Sequence, residues 1–132
     1  MTDAPGYLLD TCTALLALAD PGVLSRAVRK AVLSGPNLLS VISYWEVVLK
    51  SMKGALDVGD PRSWWSDALE QLSATPLLLR PQHVAGVYGL PLLHKDPFDR
   101  VLLAQAAAES LILVSPDEQL ARYASKDLRI VR

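Results

Sequence analysis

His94-Lys95-Asp96-Pro97-Phe98-Asp99-Arg100 leads into an apolar run over residues 101–108, and then into Leu111-Ile112-Leu113-Val114. The opening reads as a helix start. Asp96 suits the cap, Pro97 the first helical position, and Asp99 the first turn, where negative charge meets the positive end of the dipole. The spacing predicts a helix to about Ser110, apolar on nearly every side and therefore buried. The run from Leu111 to Val114 is the clearest strand in the chain. It ends in Ser115-Pro116-Asp117, and a further helix is expected to about Ala124. As chemistry, the same stretch sets a carboxylate at the mouth of a buried helix.

Helix and strand alternate upstream as well. Gly6-Tyr7-Leu8-Leu9 reads as a buried strand ending at Asp10, with Thr11 or Thr13 opening a helix over residues 14–19. A second helix is expected over residues 25–33. The turn Ser34-Gly35-Pro36-Asn37 leads to a strand over residues 38–42. Ser43-Tyr44-Trp45-Glu46 fits a capping box, opening a helix to about Lys53 with Gly54 as its stop. Glu46 and Lys50 would pair on its exposed side. Asp60-Pro61 opens a helix to about Leu72, Pro76-Leu77-Leu78-Leu79 reads as a short strand, and residues 81–88 as a short helix. Ile130-Val131 would be a last edge strand. The alternation implies an α/β fold with a mainly parallel, twisted central sheet flanked by helices, in a single domain over residues 1–132.

Composition narrows the function. Half of the 132 residues are hydrophobic, which excludes a disordered chain. No apolar run approaches the ~18 residues that span a bilayer, so no membrane role is expected. Met1-Thr2-Asp3-Ala4-Pro5 lacks the basic start of a signal peptide. Cys12 is the single cysteine, which leaves no disulfide framework and no cysteine-based zinc site. A cytoplasmic protein is expected. The net charge is −1. If four acids were gathered at a metal, the remaining surface would be net positive, a balance compatible with a phosphate-binding face.

The topology makes four acids converge. In a parallel α/β sheet, the C-terminal ends of strands and the N-termini of following helices share one edge, where ligands bind. Asp10 and Asp117 end strands, and Glu46 and Asp99 begin helices, so all four are expected on that rim. Each alone is explained by a cap or a dipole. Together they repel and raise one another's pKa unless a cation compensates. Oxygen donors on an open rim suit Mg²⁺ or Mn²⁺, which also bind substrate phosphates. No HExxH, CxxC or P-loop pattern points elsewhere. A haloacid-dehalogenase-type phosphatase needs a second Asp two residues after the first, where Cys12 stands.

Four segments resemble the PIN-domain ribonucleases, and within them the VapC-like toxins of type II toxin–antitoxin systems. They are Tyr7-Leu8-Leu9-Asp10-Thr11; Ser43-Tyr44-Trp45-Glu46 with Lys50; residues 94–105; and Leu113-Val114-Ser115-Pro116-Asp117. Asp-Pro-Phe-Asp-Arg, in this order and context, is the most specific. The resemblance assigns the family's acids to Asp10, Glu46, Asp99 and Asp117, with Asp96 and Ser115 auxiliary. It implies a three-layer PIN-like fold and Mg²⁺-dependent endonucleolytic cleavage of RNA that leaves a 3′-hydroxyl and a 5′-phosphate. It also implies a homodimer and a cognate antitoxin that covers the acidic groove. Cys12 departs from the pattern, since a His commonly follows Asp-Thr in this subfamily.

On this reading Asp10, Asp99 and Asp117 bind the metal, directly or through water, and Glu46 either binds it or orients the attacking water. Arg100 contacts phosphate or pairs with a nearby acid. His94 is expected to cap or pack rather than to assist near the groove, and Trp45 to be core. One of Trp64 and Trp65 is a candidate partner contact. Two readings compete: a degenerate PIN scaffold that acts by partner binding, and a DNA-directed metal-dependent nuclease.

Overall fold

The computed structural model describes residues 5–132. Its centre is a five-stranded sheet in the order β3-β2-β1-β4-β5, with β1 at Tyr7–Leu9, β2 at Asn37–Ser40, β3 at Ala74–Leu77, β4 at Ile112–Val114 and β5 at Ile130–Val131. All four pairings are parallel, with Leu9 level with Leu39 on one side and Val114 on the other. Seven α-helices connect and cover the strands: α1 (Thr11–Ala19), α2 (Arg26–Ser34), α3 (Val41–Met52), α4 (Pro61–Gln71), α5 (Pro81–Tyr88), α6 (Pro97–Ala108) and α7 (Glu118–Ala121). A 3₁₀ turn at Pro21–Val23 separates α1 from α2.

Side chains that alternate across the strands feed two cores. Leu9, Leu39 and Val114 pack with Ala14, Val28 and Trp64 on one face. Leu8 and Leu113 pack with Leu102, Leu103 and Leu120 on the other. The central strands are covered on both sides, which is why β4 is apolar at every position. Burial of each large aliphatic side chain contributes about 1.5–3 kcal/mol. The result is the expected three-layer arrangement.

Three sequence expectations shift. The edge strand β3 lies at Ala74–Leu77, two residues before the apolar run Pro76–Leu79 suggests. Its middle positions Thr75 and Pro76 are exposed, and a proline is tolerated at a sheet edge. Helix α7 ends at Ala121, short of Ala124. Helix α3 begins at Val41, inside the expected strand, because Ser40 is the cap that accepts from the Ile42 amide. Ser43 therefore lies within the helix, and the expected capping box with Glu46 does not form.

Helix α6 anchors the rim. Its side chains Leu102, Leu103, Ala104, Gln105 and Ala106 are buried. Gln105 accepts from the Ser40 hydroxyl at 2.6 Å, which ties the start of α3 to α6. Helix α5 packs closely on α6 at Gly86, where a Cβ would stand 3.3 Å from the Ala104 Cβ.

Candidate metal centre

All four acids meet at the C-terminal rim of the sheet, each held by its own local structure. Asp10 follows β1 directly. Its amide donates to the Val114 carbonyl at 3.0 Å, and its carboxylate caps α1 by accepting from the Thr13 amide at 2.7 Å. Asp10 thus takes the cap expected of Thr11 or Thr13. The Thr11 hydroxyl donates to Ser43, and that of Thr13 to the Val114 carbonyl. Burial raises the Asp10 carboxyl above its ordinary 3.8, against hydrogen bonds from Ser115 and Thr13, and the nearby Asp117 charge adds to the rise.

Asp117 caps α7 through the Gln119 amide at 2.8 Å, while its own amide donates to the Ser115 hydroxyl at 3.0 Å. The fully buried Ser115 therefore links Asp10 to Asp117. Asp96 caps α6, accepting from the amides of Phe98 and Asp99. That leaves the Asp99 carboxylate free of capping duty, and its Oδ2 lies 2.9 Å from His94 Nε2. Burial pushes the Asp99 carboxyl up to about 6; the His94 contact opposes this, and the charges of Asp96, Asp10 and Glu46 reinforce it.

Glu46 reaches the rim from the second turn of α3. Its side chain is only 6% exposed. Oε2 accepts from Lys50 Nζ at 2.7 Å, whereas the buried Oε1 has no hydrogen-bond partner among the described residues. The pair with Lys50 is thus half-buried, not the surface pair expected from spacing.

Among the described residues, His94, Asp99 and Asp117 each offer one ligand atom, all within 4.8 Å of one another. Asp10 and Glu46 border this group and act on Asp99 through their charge. His94 therefore lies with the acids, the groove-side alternative rather than the expected capping or packing role. The donor set is carboxylate oxygens with one imidazole. An unpaired buried carboxylate oxygen, of the kind Glu46 Oε1 presents, costs about 1–3 kcal/mol unless something binds it. Together with the raised Asp99 carboxyl, these features fit a divalent cation of the Mg²⁺ or Mn²⁺ kind.

Arg100 is a correction. It neither faces the rim as a phosphate contact nor pairs with an acid among the described residues. Its guanidinium is buried and donates to the carbonyls of Val87, Leu90, Pro91 and His94 and to the Tyr123 hydroxyl. The Tyr123 hydroxyl in turn donates to Pro91 O and accepts from the amides of Leu93 and His94. These two side chains shape the loop that carries His94. Trp45 is a second correction: it is 56% exposed and packs edge-on against Phe98. Trp64 is core, and Trp65 stacks on Tyr44. Cys12 is exposed beside the acids; partial burial, then the charges of Asp10, Asp117 and Asp99, push its thiol up, away from nucleophilic reactivity.

A five-stranded parallel sheet with this strand order and an acid-lined rim defines an α/β domain of the PIN type. Residues 7–126 match the family model of the PIN domain, and the chain belongs to that family. Solved structures share the fold. VapBC2 from Rickettsia felis, bound to a DNA fragment from its promoter, is 16% identical with a TM-score of 0.67, covering 94% of this chain and 96% of that one. DNA-bound VapBC from Salmonella typhimurium is 16% identical with a TM-score of 0.65, covering 96% and 97%. FitAcB from Neisseria gonorrhoeae is 20% identical with a TM-score of 0.62, covering 96% of each chain. No sequence match was found among curated proteins.

Proposed function

We propose that this chain is a divalent-metal-dependent endoribonuclease and acts as a VapC-like toxin held in check by a cognate antitoxin. The observation that carries the reading is the convergence of Asp10, Glu46, Asp99 and Asp117 on one rim, with a buried Glu46 oxygen left without a partner. Asp10, Asp99 and Asp117 would hold Mg²⁺, or Mn²⁺ in its place. When bound, that ion polarises a phosphoryl oxygen and acidifies water. Glu46 binds the ion or orients the attacking water. Asp96 fixes the helix start that presents Asp99, and Ser115 holds Asp10 against Asp117. Hydrolysis breaks the bond from phosphorus to the 3′ oxygen, leaving a 3′-hydroxyl and a 5′-phosphate.

Partners follow from the same reading. The antitoxin assignment rests on the VapBC structures that share this fold. A homodimer is supported by the exposed apolar side chains Leu78, Val84, Tyr88 and Leu92, grouped on and around α5. No described helix is long and apolar enough to cross a membrane, and we place the protein in the cytoplasm.

The test offers the purified chain structured RNA and DNA of matched sequence, with Mg²⁺ or with chelator. RNA cleavage that stops on chelation is expected, together with growth arrest on expression. Preferential cutting of DNA would move the assignment to a DNA nuclease. Intact RNA and absent metal binding would make the fold a partner-binding scaffold.

A further inference from the structure

We infer that His94 is a direct nitrogen ligand of the metal, so that the centre is a mixed imidazole–carboxylate site; this rests on the metal reading above but not on the identity of the nucleic acid. The observation is spatial. His94 Nε2 lies 2.9 Å from Asp99 Oδ2, and both lie with an Asp117 oxygen in a cluster no wider than 4.8 Å. Donors about 2.1–2.2 Å from a six-coordinate ion stand about 3 Å apart at neighbouring corners and a little over 4 Å at opposite ones. The 2.9 Å between His94 Nε2 and Asp99 Oδ2 matches one such edge, and Asp117 offers an oxygen within 4.8 Å of a ligand atom of each.

The chain also builds a support for that imidazole. The His94 amide donates to the Tyr123 hydroxyl at 2.9 Å, and the His94 carbonyl accepts from Arg100 at 3.3 Å. Arg100 is a buried cation with no carboxylate partner among the described residues, and its donors are turned toward the carbonyls of one loop. A guanidinium used this way holds the backbone of His94 at the rim, the preorganisation a ligand needs. Glu46, whose charge acts on Asp99, has a buried Oε1 with no hydrogen-bond partner among the described residues, a group that a nearby cation would satisfy. His94 pairs with Asp99 as Lys50 pairs with Glu46. An imidazole in place of an oxygen donor moves preference away from Mg²⁺ toward transition-metal ions.

The alternative role for His94 is to hydrogen-bond Asp99 without touching the metal, and Mn²⁺ spectroscopy separates the two. The chain has only two histidines. His83 is fully buried, with its ring bonded to the Arg80 amide and to Glu109, so an imidazole signal at bound Mn²⁺ can come only from His94. The experiment loads the full chain with Mn²⁺ and records pulsed electron paramagnetic resonance, with natural and with ¹⁵N-labelled histidine. A directly coupled nitrogen that changes isotope with the label is expected. H94A should lose it and bind Mn²⁺ at least about tenfold more weakly, with a smaller loss for Mg²⁺. The wild-type spectrum decides the matter even if H94A folds poorly.

Bound Mn²⁺ without histidine nitrogen coupling would overturn the inference, even if RNA is still cleaved and the nuclease reading stands. Coupling without RNA cleavage would uphold the ligand and sink the nuclease reading. No Mn²⁺ binding at all would overturn the inference too.

Discussion

Asp99→Asn should make the metal-free protein more stable at neutral pH while removing its function. The Asp99 carboxyl is raised from 3.8 to about 6, chiefly by burial, and its side chain is 17% exposed. A carboxyl raised on folding binds its proton more tightly in the native state. Its stabilising contribution is therefore fully present below 3.8 and is lost as pH climbs through about 6. A gap of about two units at about 1.4 kcal/mol each gives an upper limit of about 3 kcal/mol. Relaxation around the ionised group brings the expected gain for asparagine, which has no proton to lose, to about 1–3 kcal/mol. For a chain of this length that is a rise of about 5–10 °C in Tm. Denaturation in chelator from about pH 4 to pH 8 would show the two proteins alike at the acid end and diverging through about pH 6. Mn²⁺ at a hundredfold excess over its Kd should then stabilise the wild type by about 2.7 kcal/mol and leave the variant unmoved. Equal or lower stability of the variant at neutral pH, or a gain already present near the acid end, would refute the reasoning.

Further outcomes follow from the same contacts. Ser115→Ala removes the hydroxyl that bonds the Asp10 carboxylate and accepts from the Asp117 amide. It should cost about 1–2 kcal/mol in urea denaturation and move the acid limb of the cleavage–pH profile upward, since Asp10 would protonate more readily. Arg100→Met strips the donor from four carbonyls at the end of α5 and in the loop after it and should cost at least about 3 kcal/mol, with faster amide exchange over residues 87–94. Lys50→Met leaves the buried Glu46 carboxylate without a partner and should cost about 1–2 kcal/mol in chelator; saturating Mn²⁺ should restore most of it, as differential scanning calorimetry would show.

Local chemistry made some of this legible in the sequence. The strands ending at Leu9 and Val114, and the caps Asp60 and Asp96 with their first-turn prolines, announce themselves through apolar runs and turn residues. Because strand ends and helix starts share an edge, these also place Asp10, Asp99 and Asp117. The rest depends on partners far along the chain. Both Ser40 and Ser43 could cap α3, and the choice of Ser40 goes with its bond to Gln105, 65 residues away. β3 hides because, as an edge strand, it buries only one end. The roles of His94 and Arg100 are set by Tyr123, which no periodicity connects to them. Trp45 is exposed although its type suggests core, because Val47 and Ile42 already fill the two cores that α3 meets.

The central claim is that the acids on this rim cut RNA with a divalent metal, and one comparison tests it most directly. Wild type and Asp99→Asn, both shown to be folded by their denaturation curves, are incubated with structured RNA in chelator and then in Mg²⁺. The wild type should cleave only after Mg²⁺ is added and leave 3′-hydroxyl ends, while the variant should leave the RNA intact under both conditions. Undiminished cleavage by Asp99→Asn, or wild-type cleavage that persists in chelator, would contradict the claim.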